Sequence, residues 1–336
     1  MKKPVLSLQE VLELYLAEHE YENSSKATIQ YYIWNIGRFI RFLIDEQHIE
    51  NPKVTDFKAE NIIKFLMRLK NSKKWENRQD IKPEKRKEKI GSQSIKTYAR
   101  ALRAFGNWLY TEGYIKENIL DLIKLPKAHE KDKEILTDLE IKLVFDSFDR
   151  KTELGLRNAI IFALTIDSGI REGGIANLTI KDADFTAKTL KVRLKGGDTT
   201  LLPLGKTVLY MLKEYIIKYR SCAADDEPLL LNKYGDPISE NAIKKMFTAL
   251  KVKTGIKRIN CHLGRHTFAT NYRRAGHTEH EVQLALAQKS GAAAKKYVHL
   301  AERITLIETG ADSYIDKMNS DNQKKGRWQG SQIALK

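Results

Sequence analysis

Cysteine is nearly missing from this chain: the 336 residues contain two, Cys222 and Cys261, and no Cys-x-x-Cys pair. That excludes a disulfide framework and a zinc knuckle. Long apolar runs are missing as well. The stretch from Ala159 to Ile166 is among the longest, far below the ~20 residues of a membrane-spanning helix. Near the start, Lys2, Lys3, Glu10, Glu13 and Glu18 leave no uninterrupted apolar segment, so a secretory leader is not expected. No internal repeat is visible. Acidic residues are in deficit: 43 Asp and Glu face 59 Lys and Arg, a formal charge of +16. Such an excess predicts attraction to a polyanion, either nucleic acid or an anionic membrane surface. What remains is a composition 42% hydrophobic and 30% charged, enough for real cores and unlike a disordered polyelectrolyte. About two domains of ~150 residues each are expected, in a soluble, intracellular, basic protein.

Residues 7–44 carry helical periodicity in two runs, Val11, Leu12, Tyr15 and Leu16, then Tyr32, Ile36, Phe39, Ile40 and Leu43 after Ser24 and Ser25. Asn51-Pro52 breaks the chain, residues 56–69 read as a third helix, and residues 94–110 as a fourth. Four amphipathic helices without a strand pattern predict a small helical domain over residues 1–124. Within it, residues 73–89 are lysine-rich and contain Pro83. They read either as a solvated loop or as a basic arm that follows a phosphate backbone. Residues 125–133 are charged and aperiodic, an expected interdomain linker. A second domain is expected over 134–318. It opens on Thr137 with Glu140 three residues on, a capping box, followed by an apolar helix over 157–168. Leu190, Val192 and Leu194 then alternate with Lys191, Arg193 and Lys195, a Gly196-Gly197-Asp198 turn follows, and residues 199–204 complete a β-hairpin. The remainder reads as helix to about Met318, with a polar tail over 319–336. The fold class is therefore mainly α with a small β-hairpin or sheet, an α+β chain.

Three local features bear on chemistry. Lys195 ends the alternation that turns Lys191, Arg193 and Lys195 away from the apolar face. His262 and Arg265 are three apart, on one side of a helix or helix entry. Arg171 follows Ser168-Gly169-Ile170 at the end of an apolar helix. Each taken alone is also an ordinary structural item: a solvated lysine, a core-capping histidine, an arginine at a helix end. Their order along the chain, with a late tyrosine, is what carries information.

That order resembles the tyrosine recombinase family of the Xer and phage-integrase type, over residues 7 to about 310. Ser168-Gly169-Ile170-Arg171 is similar to the family's first arginine segment, and residues 195–204, ending in Pro203-Leu204, to the hairpin that carries the family lysine. His262-Leu263-Gly264-Arg265-His266-Thr267-Phe268-Ala269-Thr270 resembles the His-x-x-Arg box, the most specific match, and Tyr297-Val298-His299 stands where the family keeps its nucleophile. Two positions depart from the pattern. Gly174 stands where the family usually has an acid three residues after the arginine, with Glu172 nearby. Leu286-Ala287-Gln288 stands where it usually has Leu-Gly-His.

The resemblance implies a helical core-binding (SAM-like) domain and a catalytic domain with a site of Arg171, Lys195, His262, Arg265, Gln288 and Tyr297. Guanidiniums suit the charge spread over a phosphodiester's non-bridging oxygens. A phenol with a pKa near ~10 needs a base or a positive field to attack. His262 is the candidate base, Lys195 the general acid for the 5′ oxygen, Gln288 a neutral amide donor to the phosphate, and Tyr297 the nucleophile. Tyr272 and Tyr314 fit the spacing worse. No metal, nucleotide or other cofactor is implied. His262 and His266, four apart with His277 and His280 nearby, match a two-histidine metal spacing, but no acidic third ligand does. The expected partners are double-stranded DNA and further copies of the chain. These would form a tetrameric synapse through a C-terminal helix bearing Leu300, Ile304 and Ile307, whose default reading is core packing. No membrane role and a cytoplasmic, nucleoid-associated location are expected. With no further domain before Ser7, short core sites are expected. Two other readings stay open: type IB topoisomerase-like relaxation, and a DNA-binding protein of this fold with reduced or lost turnover.

Overall fold

The computed structural model describes residues 5–74, 88–117, 134–194, 197–287 and 301. The chain divides into two compact units, Met1–Lys131 and Asp132–Lys336. The expected linker over 125–133 and tail over 319–336 fall outside the described residues.

The first unit is built from α1 (Leu8–Tyr21), α2 (Lys26–Asp45), α3 (Ala59–Asn71) and α4 (Ser92–Thr111). Helix α1 begins at a capping box: the Ser7 hydroxyl accepts from the Glu10 amide and the Glu10 carboxylate receives the Ser7 amide at 2.7 Å. The third helix starts later than residue 56 because Val54–Asp56 forms a 3-10 turn, with the Asp56 carboxylate accepting the Lys53 amide at 2.8 Å. The core is a run of packed rings: Phe39 edge-on to Phe57 and Phe65, and Phe105 edge-on to Phe57 and tilted against Tyr15. The basic insert has a closed neck. Lys73 and Lys89 form an antiparallel bridge, and the Lys74 amide donates to the Glu88 carbonyl at 2.7 Å. Residues 75–87, the body of that insert, lie outside the described residues.

The second unit contains α5 (Asp138–Asp146), α6 (Glu153–Asp167), α7 (Glu172–Ala176), α8 (Lys206–Tyr219), α9 (Glu240–Thr254), α10 (Cys261–Arg274) and α11 (Glu279–Ala285). Its sheet has three antiparallel strands in order, β1 (Ala183–Asp184), β2 (Thr189–Arg193) and β3 (Thr199–Pro203). The mainly helical, small-sheet class read from the sequence is the one observed. The two-residue β1 and the bridges Thr179–Pro228 and Leu231–Pro237 carry no period and were not expected. Helix α6 is the centre of this unit: every residue from Ala159 to Thr165 is buried, and α8 and α10 pack on it. Among the described residues, no helix is long and apolar enough to cross a membrane.

The entry to the second unit is tied down by charge. The Arg258 guanidinium forks onto the Glu140 carboxylate at 2.7 and 2.6 Å, donates to the Ile135 carbonyl at 3.1 Å and pairs with Glu134 at 3.0 Å. The capping box holds that carboxylate: Glu140 accepts the Thr137 amide at 2.9 Å. Burial works to raise the Glu140 carboxyl, and the hydrogen bonds and charge of Arg258 with the Thr137 bonds outweigh it, leaving it below the ordinary 4.5. A depressed carboxylate contributes stability in full at neutral pH and loses it as pH falls through the folded value. Glu140→Gln is therefore expected to lower Tm at neutral pH, with the gap to wild type closing as pH drops below 4.5. A gap that widens in acid contradicts this sign.

Candidate active site

The apolar helix α6 ends at Asp167, and the chain turns through Ser168, Gly169 and Ile170 into Arg171, the N-cap of α7. Gly169 sits in left-handed conformation, φ +60°. A Cβ there would lie 2.5 Å from the Phe268 ring and 3.0 Å from the Leu286 side chain. Only glycine satisfies both demands. Helix α10 reaches this turn because Gly264 lets it lie close on α6: a Cβ at Gly264 would stand 2.8 Å from the Thr165 hydroxyl. The Asn260 side chain caps α10 by accepting the Leu263 amide at 2.9 Å.

This packing puts His262 and Arg265 on opposite sides of a burial boundary. His262 is exposed in the first turn of α10, its ring edge-on to His266 at 4.5 Å between centroids. Arg265 is only 4% exposed. Its guanidinium donates to the Gly169 carbonyl and, at 2.7 Å, to the Leu286 carbonyl at the end of α11. One side chain thus joins the Arg171 turn to the segment that runs on to Gln288. Arg171 itself is exposed. Ala287, the last described residue before Gln288, has φ +48°, and its amide donates to the Leu284 carbonyl at 2.8 Å.

Of the six site residues read from the sequence, Arg171 lies at the end of this turn, Arg265 bonds to it, and His262 stands three residues before Arg265 on α10. Lys195, Gln288 and Tyr297 lie outside the described residues. The hairpin around Lys195 is described on both sides. Strand β2 ends at Arg193, two residues before Lys195 in the sequence. Leu194 and Asp198 close the hairpin turn at 2.6 Å, and Gly197 is left-handed at φ +91°. Lys191 and Arg193 are exposed and Leu190 and Val192 buried, in the alternation expected. Gly174 leaves no room for an acid: its Cβ would stand 2.9 Å from both Ile170 and Val192. Glu172, on the first turn of α7, and Glu240 place carboxylates nearby. Among the described residues, no three His, Cys, Asp or Glu side chains converge as a metal site. Sequence reading missed the Arg265 carbonyl partners, because backbone acceptors leave no residue-type pattern; the glycine before Arg171 was the one local hint of a special turn.

A model of the phage integrase family matches residues 134–303. Tyrosine recombinase XerC of Lacticaseibacillus casei (strain BL23) is 27% identical over 304 residues, covering 89% of this chain and 94% of that protein. XerC of Bacillus subtilis (strain 168) is 28% identical over 221 residues, 64% of this chain and 73% of that protein. Among solved structures, the Tn1549 transposon integrase in complex with transposon right end DNA superposes at TM-score 0.64 with 17% identity, covering 94% of this chain and 99% of that one. A lambda integrase dimer bound to a COC′ core site superposes at 0.63, also with 17% identity, over 88% and 78%. The chain belongs to the phage integrase family, the tyrosine recombinases, a class of DNA strand-transferring enzymes.

The glycine at the turn yields a direct check. Gly169→Ala should cost about 1–3 kcal/mol and lower Tm by roughly 2–12 °C. An unchanged Tm contradicts the described turn.

Proposed function

We propose that this chain is a site-specific recombinase that cleaves and rejoins duplex DNA through a 3′-phosphotyrosyl intermediate. The observation that carries the reading is the bond from the buried Arg265 to the carbonyl two residues before Arg171, with His262 three residues before Arg265 on the same helix. In the proposed reaction the Tyr297 oxygen attacks the scissile phosphorus in line, and His262 accepts the phenolic proton. Arg171, exposed at the N-cap of α7, meets a non-bridging oxygen, while the buried Arg265 adds its charge and fixes the turn. Gln288 donates an amide hydrogen to the same phosphate. The bond from phosphorus to the 5′ oxygen breaks, and Lys195 gives that oxygen a proton. The phosphotyrosyl bond conserves the energy of the cleaved one, so a 5′ hydroxyl can reverse the step without metal or ATP.

The charge of +16 and the exposed Lys191 and Arg193 support a clamp on duplex DNA in which phosphate contacts supply most of the affinity. The first unit acts in this reading as the core-binding domain, the second as the catalytic domain. Two DNA sites held by four protomers exchange strands in pairs, the C-terminal segment after Ala301 linking neighbours. The workplace is the nucleoid.

The test is a pool of nicked suicide duplexes of randomised sequence, incubated with wild type and Tyr297→Phe and resolved on a denaturing gel. A covalent adduct formed by wild type alone is expected, together with a log–log salt slope of binding steeper than about −4, each neutralised phosphate giving about −0.9. An adduct that survives in Tyr297→Phe contradicts the assigned nucleophile. Tight binding with no adduct turns the reading to a recombinase-fold DNA-binding protein without turnover. Plasmid relaxation by a monomer without synapsis turns it to a topoisomerase-like enzyme.

A further inference from the structure

The segment between α8 and α9 carries a turn that the proposed reaction does not use. Leu231 and Pro237 form a bridge, and the Asn232 amide donates to the Asp236 carbonyl at 2.7 Å. Inside it the Asn232 side-chain oxygen accepts the Tyr234 amide at 2.7 Å and the Asp236 amide at 3.2 Å. Gly235 is left-handed, φ +88°. The base of the turn is fastened as well. The Arg157 guanidinium donates to the Leu231 carbonyl at 2.7 Å, and the Ile238 amide to the Leu230 carbonyl at 3.1 Å. A turn held at so many points has a fixed tip, and the tip is Lys233 and Tyr234. Tyr234 is 76% exposed, and the Lys233 ammonium stands 4.7 Å from its ring centroid.

The chain on either side of this turn rests on α7, the helix that Arg171 caps. Before the turn, the Leu229 amide donates to the carbonyl of Leu178, just past the end of α7, at 2.8 Å, and Pro228 bridges to Thr179. After it, Glu240 opens α9 against Gly173: a Cβ at Gly173 would stand 2.7 Å from the Glu240 carboxylate. Lys244, one helical turn further on, lies 3.7 Å from Glu172. Tyr234 precedes Glu240 by six residues, a reach of at most about 20 Å. The tip therefore stands within roughly 30 Å of Arg171, less than the ~34 Å of one duplex turn.

We propose that Lys233 and Tyr234 form a DNA contact of their own: the ammonium meets a backbone phosphate and the ring packs on an adjacent sugar or base edge, within one helical turn of the cleaved phosphate. The proposal rests on the recombinase reading given above. An exposed ring gains by leaving water against a flat, partly apolar surface, and a cation beside it gains by meeting a phosphate. DNA offers the two side by side. The attraction of the ammonium to the ring keeps both side chains together, so they arrive as one unit. The one acid in the turn, Asp236, is held at its base by the Asn232 side-chain amide at 3.3 Å.

The experiment uses the full chain and duplexes enriched from the nicked pool, on which wild-type adducts fix the cleaved position. Affinity, its salt dependence and single-turnover adduct formation at saturating protein are measured for wild type, Lys233→Ala, Tyr234→Ala and Tyr234→Phe. Lys233→Ala is expected to reduce the steepness of the log–log salt slope by about 0.9, and Tyr234→Ala to weaken binding about 10-fold. Tyr234→Phe keeps the ring and should bind within about twofold of wild type. Once saturated, all three should form adduct at the wild-type rate, since the tip does not touch the reacting phosphate. Shortening the duplex from each end in turn locates the contact. The Tyr234→Ala penalty should persist with about 20 base pairs on both sides of the cleaved phosphate and vanish at some length below about 10 on one side. Wild-type affinity and salt slope in Lys233→Ala and Tyr234→Ala overturn the proposal. So does a penalty that trimming never removes, or one that vanishes with more than about 10 base pairs left. Normal binding with slowed adduct formation also overturns it, and places the tip at a contact between copies of the chain. A wild type that binds DNA and never forms an adduct overturns the recombinase reading and this placement with it; failure of the proposal alone leaves wild-type cleavage intact.

Discussion

A guanidinium with almost no access to water must find acceptors inside the protein, and Arg265 finds the carbonyls of Gly169 and Leu286. Leaving such a charge unpaired in an interior costs several kcal/mol, while each charge-assisted hydrogen bond returns about 1.5–3 kcal/mol. Neither carbonyl can move without that loss. The constraint passes outward in both directions along the chain. From Gly169 it fixes the turn that ends in Arg171. From Leu286 it fixes the end of α11, beyond which lie Gln288 and Tyr297. The fold thus uses a candidate site residue as a fastener of its own backbone.

The interior provides for this arrangement with small groups at the right places. Gly264 lets α10 lie close on the buried middle of helix α6, and Gly169 accepts a backbone conformation and a ring contact that a side chain would forbid. Thr267, in the same helical stretch, bonds the amide of Leu136 at 3.0 Å, and Arg258 pairs with Glu134 and Glu140. The start of the second unit is thereby fastened to the segment that carries the His-x-x-Arg box. The outer surface has a different task. Lys191 and Arg193 alternate outward along β2 while Leu190 and Val192 close the core beneath, so basic side chains are presented on a rigid ribbon.

Much of this could be read from residue types alone, and the reasons are specific. The Thr137–Glu140 box works through side chains at fixed spacing, and it is present as expected. The alternation from Leu190 to Arg193 is a period-two pattern that only a strand with one buried face satisfies. The box from His262 to Arg265 lies on α10 because its neighbours carry helical spacing. What could not be read has no residue code. The two-residue β1 is made by backbone pairing, and the 3-10 turn at Val54–Asp56 by a carboxylate that looked like the start of a helix. The acceptors of Arg265 are carbonyls, which every residue possesses.

Arg265→Lys addresses the central claim most directly. Lysine keeps the positive charge and loses the planar fork that binds two carbonyls at once. The measurement is the rate of covalent adduct formation by Arg265→Lys on duplexes that wild type cleaves, with DNA affinity recorded in parallel. If the fork holds the site together, adduct formation falls by 100-fold or so while affinity is largely kept. A variant that forms the adduct at the wild-type rate would show that charge alone suffices, and that the fastening of Gly169 to Leu286 is not what shapes the site.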